Sequence, residues 1–315
     1  MTITSPLAVF DERRQAPWPS LPLAEWKDTL ETLHRWTQIV GKTRLALAPP
    51  VNHSWHVTLY LTARGLGTSP MPYGDRTLEV EFDFVDHMLV LWAGDATRTL
   101  ALAPRTVADF YLEYTTQLNS LGIRVPIRPV PSEMGDTLPF PEDQQHRSYD
   151  GDAAQRCWRI LSRANQVFQE FRGRFLGKCS PVHFFWGAFD LACTRFSGRP
   201  APVHPGGVPN LPDRVVREAY SHECISAGWW PGGGPVAEPA FYAYAYPEPP
   251  GFAYAEVQPT QAYYSPDLHE FVLPYQAVLT ANQPEGMLLD FLQSTYQAGA
   301  VLGGWDRQAL ERPAG

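Results

Sequence analysis

Four side chains suited to metal binding or proton transfer stand near the starts of predicted strands: His53, His183, His222 and Glu223. Imidazole and carboxylate are accepted ligands of zinc, iron and manganese, and neutral imidazole is the form that binds. We predict that all four hold one divalent metal, with His183, His222 and Glu223 also serving as catalytic acid and base. Such a metal would activate water or oxygen, as a hydrolase or an oxygenase requires.

The spacing of these residues also allows a second interpretation. No HExxH sequence occurs in the chain, and His222 and Glu223 are neighbours that would face opposite sides of a strand. Histidines that are hydrogen-bonded within a polar core or a loop would produce the same pattern. Without a metal, the same residues would act as acid and base only.

Three arginines follow predicted strands beside glycine- and proline-rich bends: Arg64, Arg195 and Arg199. A guanidinium group binds carboxylate and phosphate through paired hydrogen bonds. We therefore expect an anionic small-molecule substrate, held by these three side chains. Asp190 offers an alternative, because it would form a structural ion pair with Arg195 or Arg199.

A tyrosine-rich segment supplies the third group of candidate residues. Tyr242, Tyr244 and Tyr246 alternate with alanine, so a strand would place all three on one face. Such a face predicts the wall of a ligand pocket, with Tyr244 contacting the substrate. The alternative is an ordinary sheet core.

Hydrophobic periodicity predicts the elements that position these residues. In the first half it predicts helices at 22–39 and 107–118, with strands at 55–63, 78–84, 88–92 and 97–102 between them. In the second half it predicts helices at 153–176 and 284–302, with strands at 182–195, 221–230, 241–246 and 271–273 between them. A proline-rich, acidic connection lies between the halves.

The repeated order predicts an α+β protein with mostly antiparallel sheet, built as two similar helix–four-strand–helix halves. We place these at residues 1–128 and 153–315, joined by the connection at 129–152 into one integrated unit with a pocket between them. Internal duplication would give His53 and His183 corresponding places. Coincidence in a chain rich in glycine and proline is the alternative.

Composition excludes several classes of function. The net charge of −8 argues against an extended nucleic-acid groove, and no apolar run is long enough for a membrane helix. Residues 1–14 lack a signal-peptide pattern, so we expect a cytoplasmic protein with four reduced cysteines. The chain contains no GxGxxG opening a helix, no P-loop and no GxSxG sequence.

Several dense segments look like a known family. They are 51–56, 82–87, 180–190, 194–199, 220–223 and 305–307, together with the glycine-rich turn at 228–234. Together they resemble a bacterial family known only as a domain of unknown function, over nearly the whole chain. This resemblance implies one integral fold and a bacterial cytosolic setting, and it carries no activity.

We expect a small-molecule enzyme that acts on an anionic substrate in a polar and aromatic pocket, because histidines, carboxylates and arginines cluster at strand ends. A non-catalytic binding protein for an anionic or aromatic ligand is the alternative, and an interaction scaffold is the second. The sequence leaves the substrate, the reaction and the oligomeric state open.

Overall fold

The computed structural model describes residues 17–208 and 210–313. The stretch 1–14, where we expect no signal peptide, lies outside the described residues. The α-helices of the described residues are α1 (Leu23–Leu47), α2 (Val107–Ser120), α3 (Gly151–Gly173), α4 (Asp213–Ala219), α5 (Tyr275–Leu279), α6 (Pro284–Leu302) and α7 (Arg307–Leu310). Among these, no helix is both long enough and apolar enough to cross a membrane.

Within the described residues the strands form two antiparallel sheets of six strands each, one from each half of the chain. The first contains β1 (Tyr60–Leu61), β2 (Gly65–Gly67), β3 (Met71–Tyr73), β4 (Arg76–Asp83), β5 (Met88–Ala93) and β6 (Ala96–Ala101). The second contains β7 (His183–Phe185), β8 (Asp190–Pro200), β9 (His222–Trp230), β10 (Ala240–Tyr246), β11 (Tyr263–Ser265) and β12 (Glu270–Pro274). The predicted α+β fold with antiparallel sheet is confirmed.

The order of strands is β1-β2-β4-β5-β6 in the first sheet, with β3 beside β4, and β11-β12-β10-β9-β8-β7 in the second. Each half therefore has six strands, and the prediction of four was wrong. The additional strands β2, β3 and β11 have three residues each, which is too short for a period of two to stand out from the sequence. The fourth additional strand arises because the single strand predicted at 182–195 is divided by a turn into β7 and β8.

Two further predictions failed where tertiary contacts or turn geometry overrule local pattern. Helix α1 continues past Gly41, where a Cβ would overlap the Trp186 ring, so this glycine permits close packing and does not end the helix. The predicted strand at 55–63 begins instead as a 3-10 turn, Asn52–Val57, in which His53 and Ser54 have left-handed φ values of 59° and 56°.

In the sequence, Gly41-Lys42 and Gly177-Lys178 each follow the first predicted helix of their half and precede His53 and His183, but the structure does not place these residues at equivalent positions. Lys42 lies within α1, whereas Lys178 lies in the loop after α3. His53 lies in the 3-10 turn, whereas His183 begins β7. The duplication itself stays a prediction.

The two sheets are joined by backbone hydrogen bonds and share a core. Leu59 and Phe184 exchange two backbone hydrogen bonds of 2.9 Å, which join the first sheet to β7. Trp26 of α1 packs against Phe189 of the second half at 6.4 Å between ring centroids. One cluster of buried apolar side chains accordingly contains residues of both halves.

The faces of the second sheet differ in character. Leu191, Trp229 and Phe241 occupy one row of the strand register and are buried, and Phe241 contacts Phe168 of α3. The next row carries Ala192, Gly228, Tyr242 and Val272. Side chains of this second row point away from α3, so they form the outer face of the sheet.

Candidate functional site

A cavity of about 310 Å³ lies on the outer face of the second sheet. Its polar lining consists of Asp190, Tyr242, Tyr244 and Glu270, and Trp230 contributes an aromatic wall. Cavities that hold small organic molecules typically combine apolar walls with a few convergent polar groups, in volumes of roughly 300–1,000 Å³. This cavity meets that description at the lower end of the size range.

The strand register explains how two of the polar groups meet. Gly228 on β9 lies between Ala192 on β8 and Tyr242 on β10. A Cβ at Gly228 would overlap the Tyr242 ring and hydroxyl, so the glycine lets this ring lie across β9. The Tyr242 hydroxyl thereby reaches β8 and donates a hydrogen bond of 2.5 Å to Asp190 Oδ2.

The alternating tyrosines share one face of β10, as the sequence predicts. The rings of Tyr242 and Tyr244 stack with centroids 6.2 Å apart, and both line the cavity. The Tyr244 hydroxyl is 2.9 Å from that of Tyr220, which follows α4. Tyr246 lies farther along the strand and packs against Tyr220 and His204, at 4.9 and 5.2 Å between centroids.

The two carboxyl groups of the cavity have raised pKa values. Burial raises the pKa of Asp190 to about 7 against the lowering effect of the Tyr242 hydrogen bond, and the charge of Glu133 raises this pKa further. Partial burial and the neighbouring Asp190 raise the pKa of Glu270 to about 7 as well. Near neutral pH each carboxyl group is thus present both with and without its proton, which is the condition for general acid and general base catalysis.

Burial and the charge of Asp190 raise the pKa of Tyr242 well above its ordinary value. The phenol therefore keeps its proton at neutral pH and remains a hydrogen-bond donor to the Asp190 carboxylate. A hydrogen bond to the charged form of an acid stabilises that form, so Tyr242 limits how far burial raises the pKa of Asp190.

The predicted histidine ligands lie elsewhere, beside the 3-10 turn. His53 Nδ1 donates to the Ala219 carbonyl oxygen at 3.0 Å, and His53 Nε2 is 3.0 Å from Lys178 Nζ, from which it accepts. Both ring nitrogens are therefore engaged, and neither lone pair is available to a metal. The ring of His222 lies 6.0 Å from that of His53, so the structure brings these two histidines near each other.

His183 is buried and neutral. Its Nδ1 is 3.0 Å from Thr58 Oγ1, and its Nε2 has no hydrogen-bond partner within the described part of the chain. Burial, together with the charges of Arg172 and Arg44, lowers its pKa to about 3. The Trp55 ring lies between the two histidine positions, 5.0 Å from His53 and 5.4 Å from His183.

Glu223, the fourth predicted metal ligand, instead accepts hydrogen bonds from Ser197 and Arg199. Across residues 17–208 and 210–313, no group of three or more histidine, cysteine, aspartate or glutamate side chains is arranged to hold a metal. The four predicted ligands do not converge, and the hypothesis of a shared metal centre lacks its geometry. Adjacent residues of β9 point to opposite faces, which separates Glu223 from His222.

The predicted substrate-binding arginines are each engaged by groups of the chain itself. Arg64 pairs with Asp83 and Asp86, at 2.5 and 2.6 Å. Arg199 Nη2 lies 2.7 Å from Glu223 Oε2, and this guanidinium also donates to the carbonyl oxygens of residues 303 and 304. Arg195 is fully buried. The structure does not bring the three side chains to one anion site.

In the structure, Asp190 does not pair with Arg195 or Arg199, which was the alternative interpretation of these arginines. Asp190 lies on the outer face of β8, whereas the odd-numbered Arg195 points to the opposite face and stacks on Phe171 at 3.4 Å from the ring centroid. The Asp190 carboxylate instead accepts from Tyr242. A period of two along one strand is enough to separate Asp190 from Arg195.

Glu270 is the cavity residue that sequence reasoning missed. It directly precedes the predicted strand at 271–273, and β12 pairs with β10 in the register Tyr242–Val272. Glu270, two residues before Val272, therefore falls on the tyrosine face. Antiparallel pairing of the two predicted strands was the signal that could have found it.

The fold and the cavity together define an α+β protein with a carboxylate-bearing, tyrosine-lined cavity on one sheet. The chain belongs to a family of unknown function, DUF5996, which matches residues 18–312. No curated protein and no solved structure matches the chain.

Proposed function

We propose that this protein is a small-molecule enzyme that performs general acid–base catalysis in the cavity of the second sheet. One observation carries the proposal: Asp190 and Glu270, two carboxyl groups whose pKa values are both raised to about 7, line the same aromatic-walled cavity. Strongly shifted carboxyl groups in a cleft are typical of catalytic sites.

The surroundings of the two carboxyl groups suggest different roles. Asp190 receives a hydrogen bond from Tyr242, which stabilises its charged form, so Asp190 is the better general base. Glu270 is half-buried and is not held by such a donor among the described residues, so it is the better general acid. The base would take a proton from the substrate while the acid delivers one to a leaving or developing oxygen or nitrogen.

The charge of the cavity selects the class of substrate. Its ionisable lining consists of Asp190 and Glu270 with tyrosines beside them, and none of its lining residues is lysine or arginine. An anion would be repelled by ionised carboxylates, whereas hydroxyl, amide or ammonium groups would be hydrogen-bonded. We therefore replace the anionic substrate expected from the arginines with a neutral, hydroxyl-bearing or cationic organic molecule.

A non-catalytic binding protein is the second candidate. The stacked Tyr242 and Tyr244 rings provide a flat aromatic surface that would hold a planar or cationic ligand without any proton transfer. Both candidates predict that ligands bind at the cavity, and only the first predicts that a bound ligand is converted.

The experiment begins with a thermal-shift screen of neutral polyols, glycosides and amines against the purified protein, followed by mass spectrometry of each bound compound for conversion. Asp190→Asn and Glu270→Gln should retain binding of a converted compound and lose about 10²–10⁴-fold in turnover. Glu256→Gln, at an exposed carboxyl group, is the matched control and should behave as the wild type. Full turnover in both cavity variants would refute the catalytic proposal, and binding without conversion would favour the second candidate.

A further inference from the structure

Two cysteines lie next to each other on the side of the second sheet that faces away from the cavity. Cys193 is a buried residue of β8, and Cys179 is a half-buried residue of the loop between α3 and β7. Their Sγ atoms are 3.8 Å apart. Cys179 pairs with Arg195 in a single antiparallel bridge, so Cys193 is its diagonal neighbour across the two strands.

A buried positive charge lies beside this pair. The Arg195 guanidinium is fully buried, stacks on the rings of Phe171 and Tyr296, and donates one hydrogen bond to the Phe171 carbonyl oxygen. Its Nε and Nη1 have no hydrogen-bond partner within residues 17–208 and 210–313. A buried cation without a bound carboxylate favours a negative charge nearby, which a thiolate would provide.

The thiol with that environment is Cys179. The hydrogen bond with Cys193, followed by the charges of Arg195 and Arg172, lowers the pKa of Cys179 below its ordinary value, against the effect of its burial. Burial raises the pKa of Cys193 well above its ordinary value. Cys179 is therefore the thiol that reacts as a thiolate, whereas Cys193 stays protonated. These are the protonation states of an attacking cysteine and of the resolving cysteine beside it.

We propose that Cys179 and Cys193 form a redox-active dithiol that hydroperoxides convert to a disulfide. The Cys179 thiolate attacks the terminal peroxide oxygen, so an S–O bond forms, the O–O bond breaks, and the leaving hydroxide or alkoxide takes up a proton to become water or an alcohol. Cys193 then attacks the sulfenic sulfur of Cys179, an S–S bond forms, and the hydroxyl group leaves with the Cys193 proton as water. The two thiols supply the two electrons that reduce the peroxide.

The geometry allows this closure with a local movement. The Sγ atoms must approach from 3.8 Å to the roughly 2.05 Å of a disulfide bond. The backbone on either side of Cys179 is hydrogen-bonded to β8, through Ser180 to Thr194 and through Phe196 to Lys178, so the closure is a rotation of the two cysteine side chains. The site is separate from the cavity, because Cys193 and Asp190 occupy opposite faces of β8.

The test treats the reduced full-length protein with a small molar excess of hydrogen peroxide, blocks the remaining thiols and maps the peptides by mass spectrometry. We expect a Cys179–Cys193 disulfide, with Cys157 and Cys224 still reduced, because burial raises the pKa of both. Cys193→Ser should accumulate a Cys179 sulfenic acid that dimedone traps, and Cys179→Ser should slow the oxidation of Cys193 by at least about tenfold.

Cys224→Ser is the matched control and should form the disulfide at the wild-type rate. The proposal would be overturned if the wild-type pair stayed reduced under peroxide that oxidises glutathione, or if Cys157 and Cys224 reacted as fast as Cys179. The wild-type peptide map decides the matter even where a serine variant fails to fold. None of these outcomes depends on the activity proposed for the cavity.

Discussion

At the scale of single residues, the central group is the carboxyl group of Asp190, which the fold keeps on the outer face of β8 at 9% exposure. Burial opposes its ionisation, while the hydroxyl of Tyr242 provides the hydrogen bond that makes ionisation tolerable. The balance of these two effects keeps the proton exchangeable near neutral pH. A carboxyl group with such a raised pKa makes the free energy of unfolding depend on pH.

Asp190→Asn should change how stability varies with pH. The folded-state pKa of Asp190 is about 7, above the unfolded value near 3.8, so the folded state binds the proton more tightly. The contribution of Asp190 to the free energy of unfolding, on the order of a few kcal/mol, is therefore fully present below about pH 4. This contribution is lost as the pH rises to 7. Urea unfolding between pH 4 and 8 should show this decline in the wild type and a flatter profile in the variant. Parallel profiles would contradict the raised pKa.

At the scale of elements, β9 positions the site through a residue without a side chain. Gly228→Ala should push the Tyr242 ring off β9, because the new Cβ would overlap that ring and the Leu191 carbonyl oxygen. We expect a loss of about 1–3 kcal/mol in the free energy of unfolding and a loss of ligand binding at the cavity. Gly173→Ala, where a Cβ meets open space, is the control in the same urea titration. Equal stability of both variants would disprove this role of Gly228.

Elements determined by the pattern of a single segment could be predicted from the sequence, and those determined by contacts between distant residues could not. The tyrosine–alanine alternation of β10 and the whole of helix α6 were evident from sequence, because a periodic pattern within one segment determines both. The left-handed turn at His53, whose ring is hydrogen-bonded to Ala219, and the passage of α1 through Gly41, which packs on Trp186, both involve residues far away in the sequence. In the cavity, Tyr244 was predicted from the pattern of its own strand. The proximity of Asp190 and Glu270 was not predicted, because it depends on how the strands of the second sheet pair.

At the scale of the whole molecule, α1 links the two halves. His34 of this helix lies 3.0 and 2.9 Å from the carbonyl oxygens of Trp186 and Gly187, and Trp26 packs against Phe189. A fragment of residues 1–150 would leave these buried surfaces of α1 without partners. We expect such a fragment to lack the cooperative thermal unfolding that circular dichroism should record for the full chain. A soluble fragment with a cooperative transition would show that the first half folds by itself.

The central claim is that Asp190 and Glu270 act as an acid–base pair in one cavity, and carboxyl carbon-13 NMR titration tests it most directly. We predict that both carboxyl groups titrate near pH 7 in the wild-type protein, with Asp190→Asn and Glu270→Gln supplying the assignments. In Asp190→Asn the midpoint of Glu270 should fall, because the charge of Asp190 contributes to raising its pKa. Midpoints near the ordinary values of about 4 for both groups would contradict the account.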